Sequence, residues 1–217
     1  MSDHASLDDA ARIASEIDPP RFARRRGEPP IERTPVVWPL AKLNGRAPAI
    51  LPPATAKPRG VELAFARNDV NDLALRYPAG SPNGTTTHFM PTSMPAFCVC
   101  VGQVSFAGHI ANGYVLVVEH RYGWATYYAN LEHMFVLPTD RASRRRPTRV
   151  KAGDVLGYIG SMTSRGFKCL HFELWRRDDD GHFVDVDPTK FMRNWLVLPW
   201  SQPHLTPTDP AAAEAVT

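Results

Sequence analysis

The stretch between residues 59 and 200 consists of short runs rich in β-branched and aromatic residues, separated by glycine-containing turns. Such runs predict strands, because these side chains pack well on a pleated surface. Gly123 and Gly181 mark two of the expected hairpin turns. No part of this stretch shows a sustained helical period. We therefore expect an all-β domain with antiparallel pairing, with strands at residues 101–107, 114–120, 124–130, 155–159 and 170–175.

The first 58 residues have a different character. Residues 18–58 contain ten of the 21 prolines, which indicates an extended, proline-rich arm. Before Pro19, apolar residues recur at helical spacing after a capping Ser6 and predict one short helix. Trp38 and Leu40 could pin part of the arm to the domain surface. The expected organisation is an N-terminal helix and arm at 1–58, a β domain at 59–200 and a disordered tail at 201–217.

Charge and cysteine usage exclude several classes of protein. Lys and Arg outnumber Asp and Glu by only 25 to 22, so nucleic-acid binding is not expected, and the arginines at 21–26 and 144–146 are interpreted as solvated clusters. Three cysteines give no basis for a disulfide framework. No apolar run resembles a signal peptide or is long enough for a membrane span. We therefore expect the chain to be cytoplasmic as synthesised.

One predicted strand contains three residues that could take part in catalysis or metal binding. Cys169, His171 and Glu173 alternate along it, and alternation places them on the same face of the sheet. A lone histidine on a strand is more often structural than a metal ligand, so the order of the surrounding motifs matters more than His171 itself.

The order of motifs between residues 67 and 188 resembles that of the LytM or lysostaphin-like zinc metallopeptidases. The resemblance is carried, in chain order, by RNDVNDLA, MPAFCVCVGQVSFAG, YVLVVEH, YGWATYYANL, VKAGDVLGYIGSM and CLHFELW. It implies an antiparallel β-sheet groove and an ancestry in enzymes that cleave the peptide cross-links of bacterial cell wall.

The resemblance also implies a zinc ion, held by an H-x-x-x-D motif and by the second histidine of an H-x-H motif. Here Asp72 and His171 match two of these ligands, whereas Asn68 replaces the third. Asn130 and Cys169 stand where the family has histidines that assist proton transfer. Catalytic zinc normally has three good protein ligands, and an amide oxygen is a poorer one than imidazole. We therefore expect no zinc, or weakly bound zinc.

Two rearranged sites stay open at this point. One is a different zinc ligand set that recruits His88, His120, His133 or Cys169; the other is a nucleophilic pair of Cys169 and His171. The candidates for lining the groove are His120, Trp124, Tyr128 and Glu173.

Three functions compete on this basis. The first is a non-catalytic, degenerate domain that binds a peptide, peptidoglycan or protein partner. The second is an active zinc endopeptidase with an altered ligand set, and the third is a scaffold whose basic, proline-rich arm binds the partner. Members of the family usually work outside the cytoplasm, so export by a specialised secretion route would reconcile the resemblance with the expected localisation.

Overall fold

The computed structural model describes residue 13 and residues 36–52, 59–67, 80–85, 87–110, 113–136, 148–160, 163 and 165–200 of the 217. Alternating apolar residues produce strands throughout these ranges. Apart from Ile13, which is helical, the described ranges contain one α-helix of a single turn, α1 (Thr189–Met192), and a 3-10 turn at Arg121–Gly123. The strands are β1 (Lys42–Leu43), β2 (Ala49–Ile50), β3 (Val61–Ala66), β4 (His88–Phe89), β5 (Pro95–Phe97), β6 (Gly102–Ile110), β7 (Gly113–His120), β8 (Trp124–Met134), β9 (Arg149–Val150), β10 (Val155–Ile159), β11 (Leu170–Arg177), β12 (Phe183–Val186) and β13 (Pro199–Trp200).

Most strands join one antiparallel sheet, in the order β2-β3-β11-β8-β7-β6-β9. β12 adds to β11, and β10 bridges β5 and β8. The tight connection between β7 and β8 places Tyr122 at φ 64° and Gly123 at φ 77°, both in the left-handed region that such turns require. The expectation of a mostly β, antiparallel fold is confirmed.

Residues 36–52 belong to the β domain, which corrects the assignment of residues 1–58 to a separate arm. Leu40 is completely buried and forms a bridge with Ala96. The indole N–H of Trp38 donates a hydrogen bond of 2.8 Å to the carbonyl of Met192, and β2 pairs with β3. The predicted boundary after residue 58 was wrong for two reasons. Proline occurs in edge strands as well as in linkers. In addition, local composition does not reveal that Leu40 pairs with a residue more than fifty positions away.

The central strands β11, β8 and β7 bury side chains on both faces. One face carries Phe172, Leu174, Tyr128 and Leu116, which belong to the main hydrophobic core. The other carries a second, smaller cluster, which includes Val115, Val117, Ala125, Tyr127, Ala129 and Trp175. His171 pairs with Ala129, and Glu173 pairs with Tyr127. Because residues directly opposite each other in a sheet share a face, we call this second surface the His171 face.

Candidate functional site

A chain of hydrogen bonds links three alternate residues of β11 on the His171 face. His171 Nε2 lies 2.8 Å from Glu173 Oε1, and Trp175 Nε1 donates to Glu173 Oε2 at 2.6 Å. Since a carboxylate only accepts hydrogen bonds, Nε2 carries the proton of the imidazole. Tyr127 lies beside this chain, edge-on to His171 and stacked on Trp175, with ring centroids 6.0 and 5.4 Å away. The Glu173 carboxylate and the Tyr127 ring therefore hold the His171 imidazole in one orientation.

The electrostatics around His171 favour its protonated form. Burial by itself lowers the pKa of His171, but the hydrogen bond to Glu173 and the negative charges of Glu173, Glu62 and Asp185 outweigh it and raise the pKa above 6.5. The pKa of Asp185 is raised as well, which for a carboxyl group favours the neutral form. Burial and the charge of Glu173 raise its pKa to about 6, against the lowering effects of Arg59, His171 and the Gly60 backbone.

Gly60 allows β3 to approach Glu173 closely. Its φ is +61°, and a Cβ atom at this position would lie 2.7 Å from Glu173 Cγ and would also overlap the carbonyl oxygen of Phe172. Glycine is therefore required here by both backbone conformation and space. On β3, which begins one residue after Gly60, Glu62 pairs in register with His171 and forms an ion pair with Arg165. The sequence analysis missed Gly60, Glu62 and Asp185, because only strand pairing brings them to β11.

Asn130 and Cys169 are held by structural contacts. Asn130 has a left-handed φ of 65°, a conformation that asparagine tolerates better than most residues, and its Nδ2 donates to the Cys169 carbonyl at 3.1 Å. Cys169 is completely buried. Burial and the charge of Glu62 raise the pKa of the Cys169 thiol far above its ordinary value of 9.0. A nucleophilic thiolate beside His171 is therefore disfavoured, since reactive cysteines need a lowered pKa.

Three of the predicted groove residues, His120, Trp124 and Tyr128, lie on the face of the sheet opposite to His171 and Glu173. His120 Nε2 lies 2.8 Å from Thr126 Oγ1, and Thr126 Oγ1 lies 3.2 Å from the Tyr128 hydroxyl. The Tyr128 hydroxyl in turn accepts a hydrogen bond of 3.0 Å from the backbone N–H of Val99. Burial lowers the pKa of His120 to about 4, so the neutral ring is a member of a buried network. Periodicity alone could not tell which face of the sheet was the core.

Asn68 and Asp72 lie outside the described residues, so the first predicted zinc motif has no structural account. Within the described ranges, no group of three or more His, Cys, Asp or Glu side chains is arranged to hold a metal ion. His171 is one of the expected ligands, but the described His, Cys, Asp and Glu side chains do not complete a set of three around it. The described side chains therefore do not fit a catalytic zinc site.

Within the described ranges, no helix is long and apolar enough to cross a membrane.

Comparison with models of protein families finds a match over about half of the chain. The model of peptidase family M23 matches residues 82–186. No curated protein sequence matches significantly. Among solved structures, a peptidase M23 structure from Pseudomonas aeruginosa superposes with a TM-score of 0.50 at 15% identity, covering 88% of this chain and 62% of that one.

Two other solved structures resemble shorter parts of the chain. The glycyl-glycine endopeptidase LytM structure from Ruminococcus gnavus is 20% identical over 62% of this chain and 45% of its own, with a TM-score of 0.40. The catalytic domain of lysostaphin from Staphylococcus simulans is 23% identical over 54% of this chain and 86% of its own, with a TM-score of 0.37. The chain thus spans about half to two thirds of the first two structures. With the motif order and the antiparallel sheet, the family match leads to one conclusion: residues 82–186 of this chain are a domain of peptidase family M23.

Proposed function

We propose that this chain is a non-catalytic M23 domain that binds a peptide or protein partner at its His171 face. The observation that carries the proposal is the pair of Asn130 and Cys169. The two positions at which the family resemblance implies histidines hold an amide that is engaged with the backbone and a thiol that is buried. General acid–base catalysis near neutral pH needs groups that exchange protons there, and neither side chain does so.

A domain without catalytic acid and base groups can still bind a ligand. His171 is oriented by Glu173, and the buried rings of Tyr127 and Trp175 pack next to it. Aromatic side chains beside a few fixed polar groups are typical of ligand sites. Glu62 and Asp185 add negative charge near His171, which favours a partner segment with a positive charge over one with a negative charge.

A zinc endopeptidase with an altered ligand set is the second candidate, and one contact favours it. Metal-ligating histidines commonly donate their other ring N–H to a carboxylate, as His171 does to Glu173. In that case the metal would have to be held through Nδ1, because Nε2 carries the proton. The ligands besides His171 would come from outside the described residues, with Asp72 the leading candidate.

Zinc content and hydrolysis together decide between the two candidates. We expect protein purified without chelators and dialysed against zinc-free buffer to retain well under one zinc per chain by elemental mass spectrometry. We also expect it to bind peptides that represent bacterial cell-wall cross-links, or a protein partner, without cleaving them. Stoichiometric zinc that disappears in His171→Ala, together with peptide cleavage, would establish the endopeptidase instead.

A further inference from the structure

The turn that follows β1 consists of an asparagine and a glycine. Asn44 and Gly45 connect Leu43 to Arg46, and the backbones of Leu43 and Arg46 exchange two hydrogen bonds of 2.9 Å. Asn44 has φ 49° and Gly45 has φ 82°, so both lie in the left-handed region of a type I′ turn, which this residue pair favours. Both residues are exposed, and a Cβ atom on Gly45 would have nothing within 4 Å.

An exposed asparagine followed by glycine is chemically labile. The backbone nitrogen of the glycine can attack Cγ of the asparagine, because glycine has no side chain that hinders the approach. The new bond from nitrogen to Cγ closes a succinimide ring. The bond from Cγ to Nδ2 breaks, and Nδ2 leaves as ammonia with the proton of the glycine nitrogen. Water then opens the ring at either carbonyl, which gives aspartate or isoaspartate.

The surroundings of Asn44 leave both reacting groups available. Within the described part of the chain, neither the Gly45 nitrogen nor the Asn44 side-chain amide has a hydrogen-bond partner. The turn lies at the surface, and β1 is only two residues long. Opening such a short element locally costs far less than unfolding the domain. The backbone can therefore rotate until the Gly45 nitrogen faces Cγ of Asn44.

A second pair, Asn83 and Gly84, has both reacting groups engaged. The Gly84 N–H donates a hydrogen bond of 3.0 Å to the carbonyl of Ser81, and Asn83 Nδ2 donates one of 3.3 Å to Thr92 Oγ1. Gly84 is also buried. Attack at this pair requires these contacts to break together, so Asn83 is an internal reference for Asn44.

We propose that Asn44 is a site of spontaneous deamidation and that its conversion to isoaspartate loosens β1 from β13. Leu43 pairs with Trp200, and the Asn44 N–H donates to the carbonyl of Trp200 at 3.5 Å. Isoaspartate adds a methylene group to the backbone, so the turn no longer aligns Leu43 with Arg46. Deamidation at Asn44 is independent of ligand binding at the His171 face.

The first experiment follows the full-length protein in warm, mildly alkaline buffer by peptide mapping and mass spectrometry. We expect Asn44 to deamidate roughly tenfold faster than Asn83, or more, in the folded protein, and at a similar rate in urea, where both turns are open. Asn112, which precedes Gly113, lies outside the described residues, and its peptide is mapped separately. Similar rates for Asn44 and Asn83 in the folded protein, or reaction at neither before unfolding, would overturn the proposal.

Two variants test the mechanism and its consequence. Gly45→Ala should deamidate more slowly than the wild type, because the new methyl group hinders attack, and an equal rate would overturn attack by this nitrogen. The isoaspartate form of the wild type, separated by ion exchange, should melt at a lower temperature than Asn44→Asp, which carries the same charge without the extra methylene. Equal melting temperatures would overturn the loosening of β1.

Discussion

His171 Nε2 lies 2.8 Å from Glu173 Oε1, and the Glu173 side chain is completely buried. A buried carboxylate is costly unless its oxygens accept hydrogen bonds, and here Trp175 satisfies the second oxygen. Glu173 therefore orients the imidazole and makes the largest contribution among its neighbours to raising the pKa of His171.

Glu173→Gln tests this relationship. The substitution removes the negative charge that opposes burial, so we expect the pKa of His171 to fall from its raised value. NMR titration of the imidazole measures the change directly, and an unaltered His171 pKa would contradict the assignment. The loss of a charged hydrogen-bond acceptor should also destabilise the fold by about 1–3 kcal/mol.

The sign of the pH dependence follows from the raised pKa of His171. A raised folded-state pKa contributes stability that is fully present below the unfolded value of 6.5 and is lost as pH rises through the folded value. The stability advantage of the wild type over Glu173→Gln should therefore be larger at about pH 6 than at about pH 8, as measured by urea unfolding. An advantage that grows with pH would contradict this.

His120 should produce the opposite pH dependence. Its folded-state pKa is lowered to about 4, so the wild type loses stability as pH falls from 6.5 towards 4. His120→Gln can still hydrogen-bond to Thr126 and Val101 but does not titrate, so its free energy of unfolding should fall less over this range. The comparison needs only urea unfolding of both proteins at several pH values. Parallel curves would mean that His120 is not buried in its neutral form.

Gly60→Ala tests the close approach of β3 to Glu173. The added methyl group would overlap Phe172 and Glu173, and the positive φ would be strained as well. We expect a loss of about 2–4 kcal/mol in thermal or urea unfolding. Gly45→Ala is the matched control, because Gly45 has φ +82° and nothing within 4 Å of the new methyl group. It should cost only about 1 kcal/mol, and equal losses at the two sites would show that the steric contact is unimportant.

Leu40→Ala tests whether residues 36–52 are part of the core. Leu40 is 0% exposed, so truncating its side chain should cost about 2–5 kcal/mol in urea unfolding. Leu196→Ala, at a leucine that is 61% exposed, should change stability by less than about 0.5 kcal/mol. A small effect at Leu40 would restore the boundary predicted after residue 58.

Local patterns in the sequence determined the strands and the family. The run at 155–159 was predicted with the observed bounds of β10, and the turn at Gly123 was found because its signal lies in neighbouring residues. The motif order also predicts that Asn130 and Cys169 replace family histidines, and this stays a prediction. Each of these features depends on residues that are close in sequence.

Only the tertiary structure decided what each face of the sheet packs against, and therefore the surroundings of each residue. His120 and His171 both lie on apolar strands, yet one is enclosed in the core network and the other contacts Glu173 and Tyr127. Leu40 packs against a strand more than fifty residues away, and Ile13 packs against strands about a hundred residues or more away. Alternation along a strand defines two faces but does not say which is the core, because burial depends on what distant segments pack against each face.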